Sequence, residues 1–513
     1  MGGPVAVREA AGVSPVAGVP TDFFAPRVPR SRRVLRLATA TAAVAALVAA
    51  SALVVTIVVT SCGSLRSGLT RVGGECVGVL TDVGAHTFEG LGDVQQKISK
   101  QNEIVRAKSA AENQPYVRVA LLSPMTSAEK SFMSKAQVRH AVQGAYVAQV
   151  RANGSAGTND PPLIELVLAN VGSRQEQWRG VVRTLEQLAD DENPLVAVVG
   201  MGTSIAATRD AAQYLAASGS GLPMIAGVAT ADDFRDIPGF VRASPSDTDY
   251  VLALNAYLQT RTDLRKGMVV FDESEPDLYV RSLLAAYRRI LKDYLLPYER
   301  SFVGAGDPGQ RARFLEPIAA SVCTDPKPDM ILYAGRLLDL DDFVNTLASR
   351  QCFTQKPLTI LVGATGLTVS DETAARMAQT GITIVTAASV HPSWFTDEAV
   401  VPVPKGLAAF VEAFRAARFD DEATLTDGYA LTHHDAMATA VTAIRMAKRS
   451  KLSAADVRGQ LLNLNKDVVI PSAGGDLSYT TGRRADPVGK WVPISVLPAG
   501  AAPIPKGTPF ITG

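Results

Sequence analysis

Met201-Gly202-Thr203-Ser204 joins a continuous apolar run, Val196–Gly200, to an amphipathic stretch beginning at Ser204. The run has the composition of a strand and the stretch that of a helix, so the tetrapeptide sits where one ends and the other starts. A helix start offers free N–H groups and the positive end of the helix dipole, which suits a carboxylate. The hydroxyls of Thr203 and Ser204 can add bonds to such an anion, or simply cap the helix. Ala229 and Thr230 occupy the matching place after the next apolar run. There a backbone carbonyl and a hydroxyl can hold an ammonium, with capping ahead of Asp232 and Asp233 as the alternative. Asp277 and Tyr279 fall early in the helix predicted after Gly267–Phe271, and Asp277 suits an N-cap equally well. Arg336 follows the run Met330–Ala334, where a cation can take an acidic ligand group or pair on the surface with Asp339. Asn170 closes the run Ile164–Ala169 at another strand end.

The same residues are poor in catalysis. The chain has no G-x-S-x-G elbow, no P-loop and no H-E-x-x-H. His433-His434-Asp435 invites a metal reading, but adjacent helical residues diverge by about 100°, so both imidazoles cannot easily face one ion. Packed or capping histidines fit better, and no metal or cofactor is implied. Trp178, Trp394 and Trp491 are scattered and read as core. Four cysteines, an even number, are compatible with an oxidising compartment, and no C-x-x-C spacing suggests zinc. Cys323 and Cys352 each close a predicted helix shortly before a strand. If those strands are parallel neighbours, a disulfide between them is geometrically reasonable. Cys62 and Cys76 can form a second, unless Cys62 carries lipid. A net charge of +1 with 20% charged residues offers no basic surface for nucleic acid.

The elements that must position these residues begin at Tyr116. From there short apolar runs alternate with amphipathic stretches, first to Arg242 and again, after Ser244-Pro245-Ser246, to Thr386. Continuous β-branched runs with helices between them imply parallel sheets covered on both faces. Two such series predict an α/β fold of two doubly wound lobes. Upstream, Leu37–Thr60 is a 24-residue run without charge, proline or glycine. About 20 such residues suffice for a helix to cross a bilayer. Arg27, Arg30, Arg32, Arg33 and Arg36 crowd its N-terminal side, which places the N-terminus in the cytoplasm and the rest outside. Val59-Thr60-Ser61-Cys62 also fits a lipobox, but the run is longer than a signal-peptide core and lies far from Met1. The expected division is a disordered cytoplasmic tail (1–36), a transmembrane helix (37–60) and an extracytoplasmic linker (61–114). Lobe 1 is expected from 115–244 and 388–464, lobe 2 from 245–387 and 465–498, and a tail from 499–513.

The ordered series VVGMGTSIAATRDAAQYL, LPMIAGVATADDF and VRASPSD resembles the type I periplasmic binding proteins. Within them it is most similar to the leucine/isoleucine/valine-binding components of ABC importers. YAGRLLDLDDFVNTL, HHDAMATAVTAIRMA and GGDLSYTTGRRADPVGKWVPISVL resemble later pieces, so the likeness covers roughly Tyr116–Leu497. The resemblance implies two lobes hinged near Arg242–Asp247, Thr386–His391 and Leu464–Asp467, closing on a small ligand in the cleft. It implies a separate ABC permease as partner and no catalysis. A ligand sensor or a scaffold acting through a membrane partner is the alternative. Two positions depart from the amino-acid-binding pattern. Gly363-Ala364-Thr365 stands where an acidic residue holds the ligand ammonium, and Arg336 where an aromatic residue faces the cleft.

Overall fold

The computed structural model describes residues 30–60, 62, 67–128, 131–154, 161–274, 277–304, 308–354, 356–396, 398–419, 422–449, 451–465, 467–468, 470–505 and 507–513. Within its helices and strands, the side chains of 30–37, 54–60, 308–312, 422–424 and 471 lie outside this description. The tail expected before residue 30, Ser61 and the basic side chains flanking the apolar run therefore fall outside it too. The chain forms two compact units, Met1–Ile57 and Val58–Gly513.

The first unit holds most of a helix, Arg30–Thr60, that carries the apolar run. Its described side chains are all exposed, with Leu47 at 71% and Val44, Val48 and Leu53 above 60%. Among the described residues no helix is long and apolar enough to cross a membrane.

The second unit is built on two α/β sheets. The first runs, in spatial order, Leu69–Val72, Glu75–Leu80, Leu163–Asn170, Tyr116–Ser123, Leu195–Thr203, Met224–Val228 and Phe240–Arg242. Its last five strands are parallel, while the first two form an antiparallel edge. Leu163–Asn170 and Leu195–Thr203 are buried at every position, as strands covered on both faces must be. The second sheet runs Ile494–Leu497, Ile382–Ala387, Leu358–Gly363, Met330–Ala334, Gly267–Asp272 and Leu295–Phe302. Only Ile494–Leu497 is antiparallel there. This is the expected pair of parallel-sheet lobes.

After the second sheet the chain returns to the first. Helix Tyr429–Met446 packs along helix Lys135–Gly154 and over the first sheet, burying Leu431, Met437 and Ala440 with Val119, Leu121 and Ile164. The two helices touch backbone to backbone: a Cβ at Gly144 would lie 2.0 Å from the Ala430 carbonyl oxygen. Residues 465–498 serve both lobes, since Leu477 and Tyr479 pack in the first core and Ile494 and Val496 in the second.

The segment expected as a linker is instead part of the first lobe. Glu75–Leu80 pairs with Leu163–Asn170, and helix Gly92–Glu112 buries Val94, Ile98 and Val105 against the sheet. Buried Asn102 fixes this helix by donating to the Leu166 carbonyl at 2.8 Å and accepting from the Leu166 amide at 3.1 Å. The tail expected from 499 likewise ends in a strand, Phe510–Ile511, beside Pro487–Val492. Disulfides join Cys62 to Cys76 (Cα–Cα 5.7 Å) and Cys323 to Cys352 (Cα–Cα 5.6 Å).

Candidate functional site

A cavity of about 200 Å³ opens where the carboxyl ends of the two sheets face each other. Open α/β sheets bind ligands at this end because the loops leaving parallel strands converge there. Thr203, Ser204, Thr230, Tyr279, Arg336 and Thr365 all line it, together with Phe132, Gln137, Leu338, Asp427 and Tyr429.

Thr203 and Ser204 reach the cavity through a backbone irregularity. Gly200, Met201 and Gly202 all have positive φ, at 87°, 61° and 73°. The pairing of this strand with Met224–Val228 shifts register between Gly200 and Thr203. Such a bulge re-aims the following side chains. Gln175 braces it: its Nε2 donates to the Thr203 hydroxyl at 2.8 Å, and its Oε1 accepts from the Thr203 amide at 3.1 Å. A Cβ on Gly202 would lie 1.7 Å from that Oε1, so glycine is required for both φ and space. Neither Thr203 nor Ser204 caps the next helix, whose N-cap is Ile205 with no side-chain bond. The Ser204 hydroxyl oxygen instead accepts from the Ala231 amide at 3.0 Å, tying together the two strand-end loops of the first lobe.

Arg336 crosses the cleft. Its Nε and Nη2 donate to the Asp277 carboxylate at 2.6 and 2.9 Å, and Nη2 also donates to the Ser204 carbonyl at 3.1 Å. The rings of Phe132 and Tyr279 cover the guanidinium, with centroids 5.0 and 5.1 Å away. Arg336 is thus no surface arginine: its side chain is 14% exposed. Burial works against its charge, but the Asp277 carboxylate more than offsets this and raises its pKa. The Tyr279 amide donates to the same Ser204 carbonyl at 3.2 Å, so the second lobe sends two donors to one first-lobe oxygen.

Asp277 does not line the cavity. It caps its helix by accepting from the Tyr279 and Val280 amides at 2.9 and 3.3 Å while holding Arg336. Ala229 is fully buried in an apolar cluster and also lies off the cavity surface. The Thr230 carbonyl is taken by the Asp247 amide at 2.9 Å and by Nη1 of buried Arg242 at 2.5 Å. Arg242 also bonds the Ala231 carbonyl at 3.0 Å and pairs with Asp486 at 3.1 Å, fastening the first crossing to the chain near 483–486. Behind Thr230, Asp247 is fully buried. Burial, then the neighbouring Asp232, pushes its pKa up to about 8.

One other expectation falls away from the cleft. Asn170 is structural: its Oδ1 accepts from the Met125 and Gly172 amides, and its Nδ2 donates to the Cys76 carbonyl. His433, His434 and Asp435 are buried, and His433 bonds the Tyr429 carbonyl at 2.8 Å. Among the described residues no group of three or more His, Cys, Asp or Glu side chains is placed to hold a metal.

Four residues at this site escaped the sequence reading. Phe132 lies in a loop without periodic signal. Gln175 acts across 28 residues. Asp427 lines the cavity with its carboxylate bound to His140 Nδ1 at 2.6 Å and to the Tyr429 amide at 2.9 Å. Tyr429 opens the returning helix, and burial, with Asp427 nearby, raises the pKa of its phenol.

No family model matches the chain, and no curated protein matches it. Solved structures do. A branched-chain amino acid transporter substrate-binding protein of Streptococcus pneumoniae, in complex with isoleucine, matches with a TM-score of 0.54 at 17% identity. The match covers 76% of this chain and 98% of that one. A leucine-binding protein of Thermotoga maritima matches with a TM-score of 0.54 at 17% identity, covering 75% and 96%. A solute-binding protein of an ABC transporter from Rhodopseudomonas palustris, in complex with 3,4-dihydroxybenzoic acid, matches with a TM-score of 0.52 at 16% identity, covering 74% and 92%. The fold is that of the type I periplasmic binding proteins.

Proposed function

We propose that this chain is an extracytoplasmic solute-binding protein, anchored in the cell membrane, that captures a small polar ligand between its lobes and delivers it to an ABC permease. The observation that carries the reading is the convergence of Ser204, Tyr279 and Arg336, from opposite lobes, on one compact cavity. Such a site is made to close on a molecule, not to transform one, because it presents no activated nucleophile. The neighbours named above are transport proteins that bind small molecules, which supports the same reading.

The anchor rests on the helix Arg30–Thr60. Its described apolar side chains, Val44, Leu47, Val48 and Leu53 among them, are exposed, and exposed apolar surface of this kind calls for cover, here by lipid. The arginines ahead of the run favour a cytoplasmic N-terminus. The Cys62–Cys76 disulfide favours the helix over lipid on Cys62, since a bridged sulfur cannot carry a thioether. Tethering would raise the effective concentration of the lobes near the permease.

The test is a thermal-shift screen of the full-length chain in detergent against amino acids, small acids, sugars and nucleosides. A ligand at about 100 times its dissociation constant adds about 2.7 kcal/mol and raises the melting temperature visibly. A hit that Ser204→Ala weakens without unfolding the chain supports the reading. Failure of every class to shift the transition overturns it.

A further inference from the structure

We infer that the ligand is a small carboxylic acid without an amino group. This rests on the reading of the cleft as a ligand site and names what it selects.

The argument is a balance of donors and acceptors. An α-amino acid brings an ammonium, whose hydrogens need acceptors when buried. Four carbonyls at the cleft already take protein donors. The Ser204 carbonyl takes bonds from the Tyr279 amide and from Arg336. The Thr230 carbonyl takes two, from Asp247 and Arg242, and the Thr365 carbonyl takes the Ser389 amide at 2.9 Å. The Gly363 carbonyl takes the Tyr279 hydroxyl at 2.7 Å. Of the nearby carboxylates, Asp277 is committed to Arg336 and to its helix cap, and cavity-lining Asp427 is engaged at one oxygen by His140 and at the other by the Tyr429 amide.

Donors remain. Arg336 directs Nε and Nη2 to protein, and among the described residues Nη1 has no protein partner. The Ser204 hydroxyl accepts from Ala231 but donates to no described protein group, and the same holds for the Tyr429 phenol. The rings of Phe132 and Tyr279 and the surrounding protein leave the guanidinium side chain only 14% exposed, which strengthens its hold on an anion. Asp277 does not cancel this. It fixes the plane of the guanidinium and orients Nη1, as a preorganised binding group requires. The apolar wall at Leu337 and Leu338 then receives an aliphatic or aromatic body.

The experiment uses the full-length chain in detergent and matched ligands: leucine, its keto counterpart 4-methyl-2-oxopentanoate, benzoate and benzylamine, read by titration calorimetry. Expected is binding of the keto acid or benzoate at least tenfold tighter than of leucine or benzylamine. Arg336→Gln should weaken the acid at least tenfold, and Arg336→Lys, which keeps the charge but not the planar edge, by less. If Arg336→Gln does not fold, Tyr429→Phe and Ser204→Ala each remove one free donor and should each weaken the acid severalfold. Leucine binding as tightly as its keto counterpart overturns the inference and leaves the solute-binding reading standing. Acid binding indifferent to all three positions overturns it as well. Silence from these four ligands together with the wider screen removes the solute-binding reading and this inference with it.

Discussion

Two acid–base pairs in this protein use similar chemistry to opposite ends. Lys490–Asp435 lies under the returning helix with both side chains 0% exposed. Asp435 is saturated there, accepting also from the Ala473 and Gly474 amides at 2.8 and 3.2 Å and pairing with His434. Burial opposes its charge, but Lys490 and then His434 more than offset this and hold its carboxyl far below the usual range. Arg336–Asp277 lies at the cleft, 14% and 12% exposed, and among the described residues one guanidinium nitrogen has no protein partner. The first pair fastens the hairpin Gly475–Tyr479 and Pro487–Val492 to the helix Tyr429–Met446. The second holds in place an arginine that lines the cavity. Burial separates the two: the first pair is enclosed by protein, while the base of the second lines a cavity.

The sharpest way to break this comparison is Lys490→Met. It leaves Asp435 buried without its counter-charge, and loss of one partner from a buried pair costs about 3–5 kcal/mol. Urea unfolding followed by circular dichroism should show the midpoint fall by that equivalent. A loss below about 1 kcal/mol would mean that the pair is not the fastening described.

Gly202→Ala comes next. The left-handed backbone alone costs about 1–2 kcal/mol with a Cβ, and here the Cβ must also displace Gln175 Oε1. A drop of about 2 kcal/mol should come with loss of ligand binding, since Thr203 and Ser204 depend on that brace. Retained affinity in a folded variant would show that the bulge does not position them.

How much of this was visible in the sequence differs sharply between the fold and the site. From Tyr116 to Ala387 nearly every strand is a short, uninterrupted aliphatic run, so the α/β order is written locally. The burial of helix Gly92–Glu112 in the first lobe is not, because its buried stripe is narrow and includes Gln95 and Asn102, which look solvent-facing until their partners are known. The cleft residues Ser204, Thr230 and Thr365 were legible as strand-end positions, and Tyr279 as an early position in a following helix. Their bonding was not, because it joins residues remote in sequence: Arg336 with Asp277 across 59 positions, His140 with Asp427 across 287. Ala229 and Asp277 were named as contacts because chain position alone cannot tell a residue facing the cavity from its neighbour behind it.

The second crossing adds a pH term. His391 Nδ1 accepts from the Ser393 amide at 3.1 Å, so that nitrogen carries no proton, and burial lowers the imidazole pKa to about 4. Between about 4 and the ordinary 6.5 the unfolded chain binds a proton that the folded chain refuses, so stability rises with pH across that window and is lost as pH falls through it. One such group gives a slope of at most about 1.4 kcal/mol per pH unit. His391→Gln should flatten the stability profile between pH 4 and 6.5 relative to the parent chain, and an unchanged slope would assign the acid loss elsewhere.

The smallest stability effect is expected where the binding effect is largest. Arg336→Gln removes two charged bonds to Asp277, but that carboxylate keeps its two helix-capping amides and sits beside a cavity open to water. An acid at a helix N-terminus stays favourable by about 0.3–1 kcal/mol without any partner, so a loss of only about 1 kcal/mol is expected on urea unfolding. Set beside Lys490→Met, the two variants test the distinction directly. A loss for Arg336→Gln as large as that for Lys490→Met would make Arg336 a fastening of the closed lobes, and its free nitrogen an accident of packing. A small loss joined to a large drop in acid affinity would show that the protein gives up little stability to keep one donor uncommitted.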